Sequence, residues 1–385
     1  MPSESQVFRI VQFVNTLDVS DGGPARNSFE LNLSLNARTD VQANLIWIRG
    51  EEESSVIVSH SSEFPSPGPR RLAPRPAPHR RQIGVLDAFR EIRDADHVVV
   101  HGYFLPWIPV VAVIAWLTRT PLALMPHGAL TARQSNYSRL KKATYERSVG
   151  WFVRRKLSTF VTGSESETSE LNSRFPLIST ATAGVGTTMH APLAYSGLHT
   201  PLRLVSLARI SQKKRIDLMI DSVAVLQAEG VDCTLTIAGV GPADITEGLR
   251  VQARDRGLEG VVRFIGQVDG PAKHALLWES DIFLLPSDDE NFGIALAEAL
   301  AHGLPCVASS NVAAAAAIRD SRGGRVSSAQ TPESLAEGIR NLADSATFQL
   351  ERTWAFATAE ESFAWDEVAR TWMGILKGSL RGTAT

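Results

Sequence analysis

The stretch from Asp281 to Ala308, DIFLLPSDDENFGIALAEALAHGLPCVA, limits what this chain can fold into more than any other part of it. It predicts a strand at Ile282–Leu285, a polar loop at Pro286–Glu290, a helix at Asn291–His302 and a strand at Pro305–Ala308. Both strands are short apolar runs, as in a parallel sheet buried on both faces. Pro286 ends the first strand, and Gly303 stops the helix from just beyond its last turn. The helix is apolar almost all round and is expected to be buried, yet it carries Glu298. A buried ionised carboxylate is costly unless something pairs with it or donates to it. His302, one turn further on, is the local candidate for that pairing.

A second carboxylate changes the weighing. Glu290 stands just before the helix, eight positions from Glu298, which is roughly 12 Å along a helix axis. Between them the helix N-terminus offers unpaired N–H groups and a partial positive charge, a seat suited to phosphate. Asn291 and Phe292 lead into it, and Gly293 lets a ligand approach the backbone closely. Two hydroxyl acceptors thus flank an anion seat. A nucleoside diphosphate sugar presents the same order of groups: sugar, pyrophosphate, ribose.

The residues Glu290 and Glu298 form the E-x7-E pattern of retaining glycosyltransferases with the GT-B fold, and ENFGIALAEALAHGLPCVAS resembles glycosyltransferase family 4, the group 1 type. The resemblance implies that Glu290 holds sugar hydroxyls and Glu298 holds the ribose. The pattern alone is weak; with its loop, Phe-Gly, Gly-Leu-Pro and flanking strands it is specific.

Composition agrees. A chain of 385 residues is long enough for two domains, each with its own core. The formal net charge of −2 gives no reason to expect nucleic acid. Cys233 and Cys306 both fall in predicted buried strands, as small core residues of a reduced, cytosolic protein. The start, MPSESQVFRIVQFV, lacks a basic region ahead of an apolar stretch and reads as a first strand, not a leader. The most apolar window, Tyr103–Leu117, is too short to span a bilayer and contains Pro106 and Pro109. The expected location is cytoplasmic, with peripheral contact at the inner membrane face as an option.

Taken in order, strand Val7–Val14 runs into Gly22, Gly23 and Pro24, a glycine turn opening a helix. An ordinary strand-to-helix turn explains it equally well; family members carry a similar Gly-Gly loop at this place, which implies a loop close to the donor phosphates or the acceptor, with Gly22 and Gly23 as donor-binding residues. Val41–Ile48 is the next strand. Residues 63–81, EFPSPGPRRLAPRPAPHRR, are too rich in proline for a helix interior or a central strand and read as an extended surface loop. Strand His97–His101, helix Pro106–Leu117 and strand Leu122–Met125 lead to Pro126-His127-Gly128. His127 thus stands at the carboxyl end of a parallel strand, the ligand edge of a doubly wound sheet. A core or capping histidine is the ordinary reading. PHGAL resembles the family's His-Gly turn, which implies that His127 contacts the transferred sugar; His101 is a weaker candidate for the same cleft.

From Arg133 to Lys156 a helical pattern carries eight basic residues against Glu146, with Trp151, Phe152 and Val153 interleaved. Such a helix suits an anionic membrane, and many family members act on lipid-linked acceptors; a solvated helix with its aromatics in the core is the other reading. Strand Thr159–Thr162 and helix Ser164–Asn172 follow, with Ser164 and Glu167 spaced as a capping box. The link to the second domain is expected within His190–Thr200.

Strand Leu202–Leu207 ends in Ala208-Arg209, and Lys214 stands near the next helix start. Cations there can neutralise a pyrophosphate leaving group. The family shows Arg, then Lys followed by Gly. Arg209 and Lys214 match, but Arg215 replaces the glycine, which leaves the adjacent Lys213 as an alternative. Gly239-Val240-Gly241 after strand Val231–Ala238 reads as a structural turn. The resemblance implies that the loop after Val261–Ile265, at Val268, contacts the nucleobase. A final helix with Trp365, Val368, Trp372 and Ile375 at helical spacing has the apolar face to cross back onto the first domain.

The expectation is an α/β protein of two Rossmann-like doubly wound domains facing across a cleft. Residues 1–190 form the acceptor domain, 201–360 the nucleotide-sugar domain and 361–385 the returning helix. It is an enzyme of the hexosyltransferase type, moving a sugar from a nucleoside diphosphate sugar to a sugar or lipid-linked glycan acceptor with retention. It needs no metal or other cofactor, because Arg209 and Lys214 supply the positive charge. Three rivals share some of these features. A glycoside hydrolase needs its carboxylates roughly 5 to 9.5 Å apart. An NAD-dependent oxidoreductase needs a G-x-G-x-x-G after the first strand, which is missing. A catalytically inactive GT-B binding subunit would be expected to lose the Glu, Arg or Lys positions, all of which are present.

Overall fold

The computed structural model describes residues 7–17, 23–48, 79–81, 84–131, 142, 144–192, 197–327, 329–344 and 348–382. Its contacts divide into two compact units, Met1–Gly186 with Trp365–Thr385, and Thr187–Ala364.

The first unit is built on seven strands: β1 (Phe8–Val14), β2 (Val41–Trp47), β3 (His79–Arg81), β4 (His97–His101), β5 (Leu122–Met125), β6 (Thr159–Thr162) and β7 (Thr180–Thr182). Their order is β3-β2-β1-β4-β5-β6-β7. The second unit has six: β8 (Leu202–Leu207), β9 (Cys233–Ala238), β10 (Val262–Gly266), β11 (Ile282–Leu285), β12 (Cys306–Ser309) and β13 (Gly324–Ser327), in the order β10-β9-β8-β11-β12-β13. Every pairing among these strands is parallel. Each sheet therefore reverses its winding once, between β1 and β4 and between β8 and β11. The carboxyl ends of the strands at such a reversal leave a crevice for ligands. The buried runs of β4, β5, β6, β11 and β12 explain why the sequence reads as continuous apolar stretches there. Both cysteines are free and buried.

Several elements differ from their expected extent. The last three residues of the proline- and arginine-rich stretch form β3, an edge strand, where proline-rich neighbours are tolerated; residues 63–78 lie outside the described residues. The expected linker is packed within the second unit: His190 N donates to Ala301 O (3.1 Å) and His199 Nδ1 pairs with Asp281 (2.9 Å). The chain instead passes between units at Gly186–Thr187 and Ala364–Trp365. A Cβ on Gly186 would meet the Trp365 ring at 2.2 Å, so only glycine lets that indole lie there.

Two helices, Phe348–Phe363 and Trp365–Gly382, stand where one final helix was expected to start. The second packs on the first unit through Ser34 Oγ to Trp365 O (2.9 Å), His97 Nε2 to Ser379 Oγ (2.9 Å) and Lys377 to Asp40 (3.2 Å). Trp372 is its anchor, 1% exposed. Trp372→Ala should cost about 3–5 kcal/mol, the range for truncating a buried large aromatic. Urea denaturation followed by fluorescence and circular dichroism measures it, and a loss below about 1 kcal/mol would contradict the packing described.

Candidate functional site

At the carboxyl end of β8 the chain makes a short 3-10 turn, Gln212–Lys214, before helix Ile216–Ala228. Arg215 joins them at φ 51, ψ 43, a left-handed conformation that glycine adopts freely and a longer residue adopts at a cost of about 1–2 kcal/mol. Its guanidinium offsets that cost by bonding Asp217 (3.0 Å) and Asp288 (3.2 Å). The turn therefore keeps a left-handed conformation of the kind a glycine adopts. Lys213 is exposed, while its carbonyl accepts from Asp288 N at 2.8 Å. Lys214 turns inward and its Nζ pairs with Glu290 Oε1. Arg209 is exposed, and no described residue pairs with its guanidinium.

The turn Gly239–Gly241 explains why β8 can end this way. A Cβ at Gly239 would meet Ala208 O at 1.9 Å, and one at Gly241 would meet Ile210 O at 2.1 Å. These glycines let two backbone loops touch, and are structural. Val268 is half-buried in the loop after β10.

Beside β8, strand β11 leads through buried Pro286 and Ser287 to Glu290. Glu290 N donates to Asn311 O (3.1 Å) and Glu290 O accepts from Ala313 N (3.3 Å), which fixes the backbone. The helix begins at Ile294 and ends at Ala301, shorter than the expected Asn291–His302. The cause is Gly293, at φ 102, where a Cβ would strike Val312 Cγ1 at 2.5 Å. Glu290, Asn291 and Phe292 consequently lie in a loop, so Glu290 and Glu298 do not share one helix axis. Gly293 supplies no side-chain cap; Leu296 N donates to Gly293 O (3.0 Å), which leaves the N–H groups of Ile294 and Ala295 for a ligand. Glu298 is paired with Lys273 Nζ (3.0 Å) from helix Gly270–Trp278, not with His302. Both side chains are largely buried, and the lysine answers the cost of the buried carboxylate. His302 Nδ1 donates instead to Glu298 O at 2.7 Å. Lys273 is a site residue that sequence reasoning missed, because its partner comes from another helix.

In the first unit, Gly23 begins helix Gly23–Asn36, while Gly22 lies outside the described residues. His127, half-buried at φ 52, follows β5. It belongs to a relay. Gln12 Nε2 donates to Asn32 Oδ1 (3.1 Å), so Gln12 Oε1 accepts from His101 Nε2–H (3.0 Å). His101 Nδ1 then accepts from His127 Nε2–H (3.1 Å). The relay assigns the tautomers and leaves His127 Nδ1 as an acceptor. Burial pushes His127 down to about 4 and His101 well below the ordinary histidine value. Ser164 caps helix Glu165–Arg174 as expected, its hydroxyl accepting from Glu167 N at 3.3 Å. The buried Glu167 carboxylate accepts from Gly128 N (2.6 Å) and Gly163 N (3.3 Å), bracing the His-Gly turn.

The expected helix from Arg133 to Lys156 is described only in part; Arg133, Arg139 and Lys141 lie outside the described residues. A π-turn at Glu146–Gly150 precedes helix Trp151–Lys156. Arg154 is held inside the fold by Glu146 and by Tyr103 Oη (2.7 Å). Lys156 Nζ lies 4.4 Å from the Trp116 ring, and Arg155 stacks 4.5 Å from the Trp151 ring. Trp116 and Trp151 are 54% and 52% exposed.

Comparison with known proteins places these features in a class. Residues 196–356 match the model of the glycosyl transferases group 1. The chain is 38% identical over 118 residues to the amylovoran biosynthesis glycosyltransferase AmsK of Erwinia amylovora, covering 29% of this chain and 28% of that protein. It is 32% identical over 178 residues to a GDP-mannose-dependent phosphatidylinositol dimannoside mannosyltransferase of Mycobacterium tuberculosis, 46% of this chain and 44% of the relative. The matches thus span less than half the length of these relatives. Anabaena HepE, solved with UDP, has a similar fold at a TM-score of 0.72 and 16% identity, over 96% of this chain and all of that one. The fold is GT-B, and most of the second unit, residues 196–356, is similar to the group 1 glycosyl transferases. No described helix is long and apolar enough to cross a membrane.

The buried histidines set an acid limit. His97 and His127 are pushed to about 4 in the folded chain, against about 6.5 unfolded. Between those values the unfolded state binds more protons, so stability is intact above pH about 6.5 and falls as pH drops towards about 4. Melting temperature measured across that range should fall steadily, and His97→Asn should flatten the decline; a melting temperature independent of pH there would contradict the assignment.

Proposed function

We propose that this chain transfers a sugar from a nucleoside diphosphate sugar to an acceptor hydroxyl, with retention of anomeric configuration and without a metal ion. The observation that carries this reading is the convergence at the β8/β11 reversal. Free Arg209, the Lys214–Glu290 pair and the uncapped helix start at Gly293 all stand there, inside the stretch that matches group 1 glycosyl transferases. The UDP and UDP-glucose complexes of HepE support a nucleotide-sugar donor.

In this reading the diphosphate lies over the first turn at Ile294, where N–H groups and the helix dipole meet negative charge. Arg209 and Lys214 neutralise the charge that develops as the diphosphate departs, and electrostatic stabilisation of the leaving group supplies most of the rate. Glu290 moves from Lys214 to sugar hydroxyls when the donor binds. Glu298, positioned by Lys273, accepts from the ribose, and Val268 lies by the base. His127 presents Nδ1 to a hydroxyl of the transferred sugar, oriented through His101 and Gln12. The acceptor then attacks from the face the diphosphate leaves. Asp288, the first of the adjacent acids Asp288 and Asp289, is engaged by Arg215, which supports a diphosphate held by cationic side chains and not by a metal on these acids.

The acceptor is taken to be a sugar or lipid-linked glycan, in polysaccharide or glycolipid assembly. Names of relatives support this: one is an amylovoran biosynthesis enzyme and another a phosphatidylinositol dimannoside mannosyltransferase. Exposed Trp116 and Trp151, each with a cation over its ring, suit peripheral contact with an anionic membrane. On that reading the protein should sediment with anionic vesicles and release at high salt. Recovery that is equal with neutral vesicles, or nil with either, would sink it.

The lysine register tests the leaving-group role. Lys214→Ala should lower turnover on the order of a hundredfold or more, the scale of losing one transition-state donor. Lys213→Ala should stay within about a few fold, as for an exposed charge away from the site. Initial rates at saturating donor, with melts to check folding, decide it. A crippled Lys213→Ala beside an active Lys214→Ala would place the cation one residue earlier. Two active variants would remove the role. Activity should also persist in excess chelator; complete loss, restored by magnesium or manganese, would overturn metal independence.

A further inference from the structure

Three histidines in the second unit serve no part of the donor reading. His190 lies in the segment between β7 and β8, His274 on helix Gly270–Trp278, and His302 at the cap of helix Ile294–Ala301. Their ring centroids are 4.2, 4.4 and 5.1 Å apart, and one nitrogen of each lies within 4.8 Å of the others.

We propose that His190, His274 and His302 bind one transition-metal ion of the zinc class. The tautomer of His302 is set for it. Its Nδ1–H donates to Glu298 O at 2.7 Å, so the Nε2 lone pair points into the group. A backbone carbonyl holding the far nitrogen is the usual second partner of a metal-bound imidazole, fixing both tautomer and ring orientation. His274 Nδ1 stands 2.9 Å from that lone pair and shares its proton with it. An ion entering the group takes the place of this proton, which moves to His274 Nε2. Both rings stay neutral, and no net proton is released.

The three rings now stack, with His302 at 24° to His190 and 20° to His274, so they must turn for three lone pairs to meet one ion. Metal–nitrogen bonds of about 2.0–2.1 Å at tetrahedral angles put ligand nitrogens about 3.3 Å apart. The 2.9 Å pair must open slightly, and His190, the half-buried member, must swing inward. Its partial exposure also gives the ion a way in and leaves the fourth position to water. Trp278, with its ring 5.4 Å from His302 and 6.2 Å from His190, walls the group with apolar surface. Three imidazoles with no oxygen in the set favour zinc, nickel or copper and disfavour magnesium and calcium, which take oxygen ligands. The ion would join three separate segments of the second unit, one of them the helix that carries Glu298. It is distinct from the diphosphate seat and supplies no group to the transfer itself. Chelation should lower the melting temperature of the zinc-loaded protein and leave the transfer rate in place.

The test uses the full chain, with any affinity tag removed, freed of metal by chelator and then titrated calorimetrically with Zn2+. Cobalt(II) is added separately as a spectroscopic probe. One equivalent of zinc should bind and raise the melting temperature, magnesium should do neither, and cobalt should give the intense visible bands of a tetrahedral nitrogen-ligated ion. His190→Ala and His302→Asn should each weaken zinc binding on the order of 10–100-fold. Cobalt that stays octahedral in the wild-type protein would overturn the proposal. So would zinc binding that both variants leave unchanged. If His302→Asn does not fold, the cobalt spectrum and the half-buried His190→Ala decide between these outcomes.

Discussion

Gly293 has no room for a side chain, because a Cβ there would meet Val312 at 2.5 Å, and its φ of 102 is one that other residues rarely adopt. Much of the second unit's chemistry follows from this contact. The loop from β11 can press against residues 311–314, which holds Glu290 by two backbone bonds. The helix starts abruptly, without a capping side chain, and its free N–H groups open at the end of the sheet. Its shortness puts His302 at the cap and Glu298 one turn from the end, where Lys273 reaches it. A bulkier residue at 293 would push the loop off its support and displace the helix start.

The same economy appears around each carboxylate. Glu290 and Glu298 are each matched by one lysine from another element. Both pairs are largely shielded from water, so removing either partner leaves an uncompensated charge, which is more damaging than the net worth of the pair. A ligand that replaces the lysine with hydroxyl donors can release the cation to an anion nearby. In the first unit Glu167 does comparable work with neutral donors. It accepts two backbone N–H groups and holds the turn on which His127 sits, while Gln12 and His101 fix the ring.

Strands buried on both faces were legible from sequence, since apolar runs bounded by Pro and Gly have few other uses; His97–His101, Leu122–Met125, Thr159–Thr162, Leu202–Leu207 and Ile282–Leu285 have the extents read from sequence. Helix starts were less legible. The apolar pattern runs back to Phe292, but the clash at Gly293 is with Val312, from another segment, and no local periodicity encodes it. Lys273 and Glu167 were missed in their real roles for the same reason: their partners are Glu298 and the Gly128 and Gly163 amides. Glu167 has the spacing of a capping box, and only the tertiary fold brings the Gly128 and Gly163 amides to its carboxylate. The histidine cluster had no signal at all, because its members share no short motif. Arg215 looked like a break in a pattern that expects glycine, and the structure shows that the turn accommodates it through Asp217 and Asp288.

The central claim is that the carboxyl ends of β8 and β11 hold a diphosphate through Arg209, Lys214 and the helix start at Gly293. Calorimetric binding of nucleoside diphosphates to the wild-type chain and to Arg209→Ala tests it most directly, with the matching nucleosides as controls. The account predicts one site that binds the diphosphate far better than the nucleoside. It also predicts at least about a tenfold loss in Arg209→Ala, the scale of losing one charge-assisted contact of about 1.4 kcal/mol or more. Equal affinity for nucleoside and diphosphate, or an affinity that Arg209→Ala leaves unchanged, would contradict it.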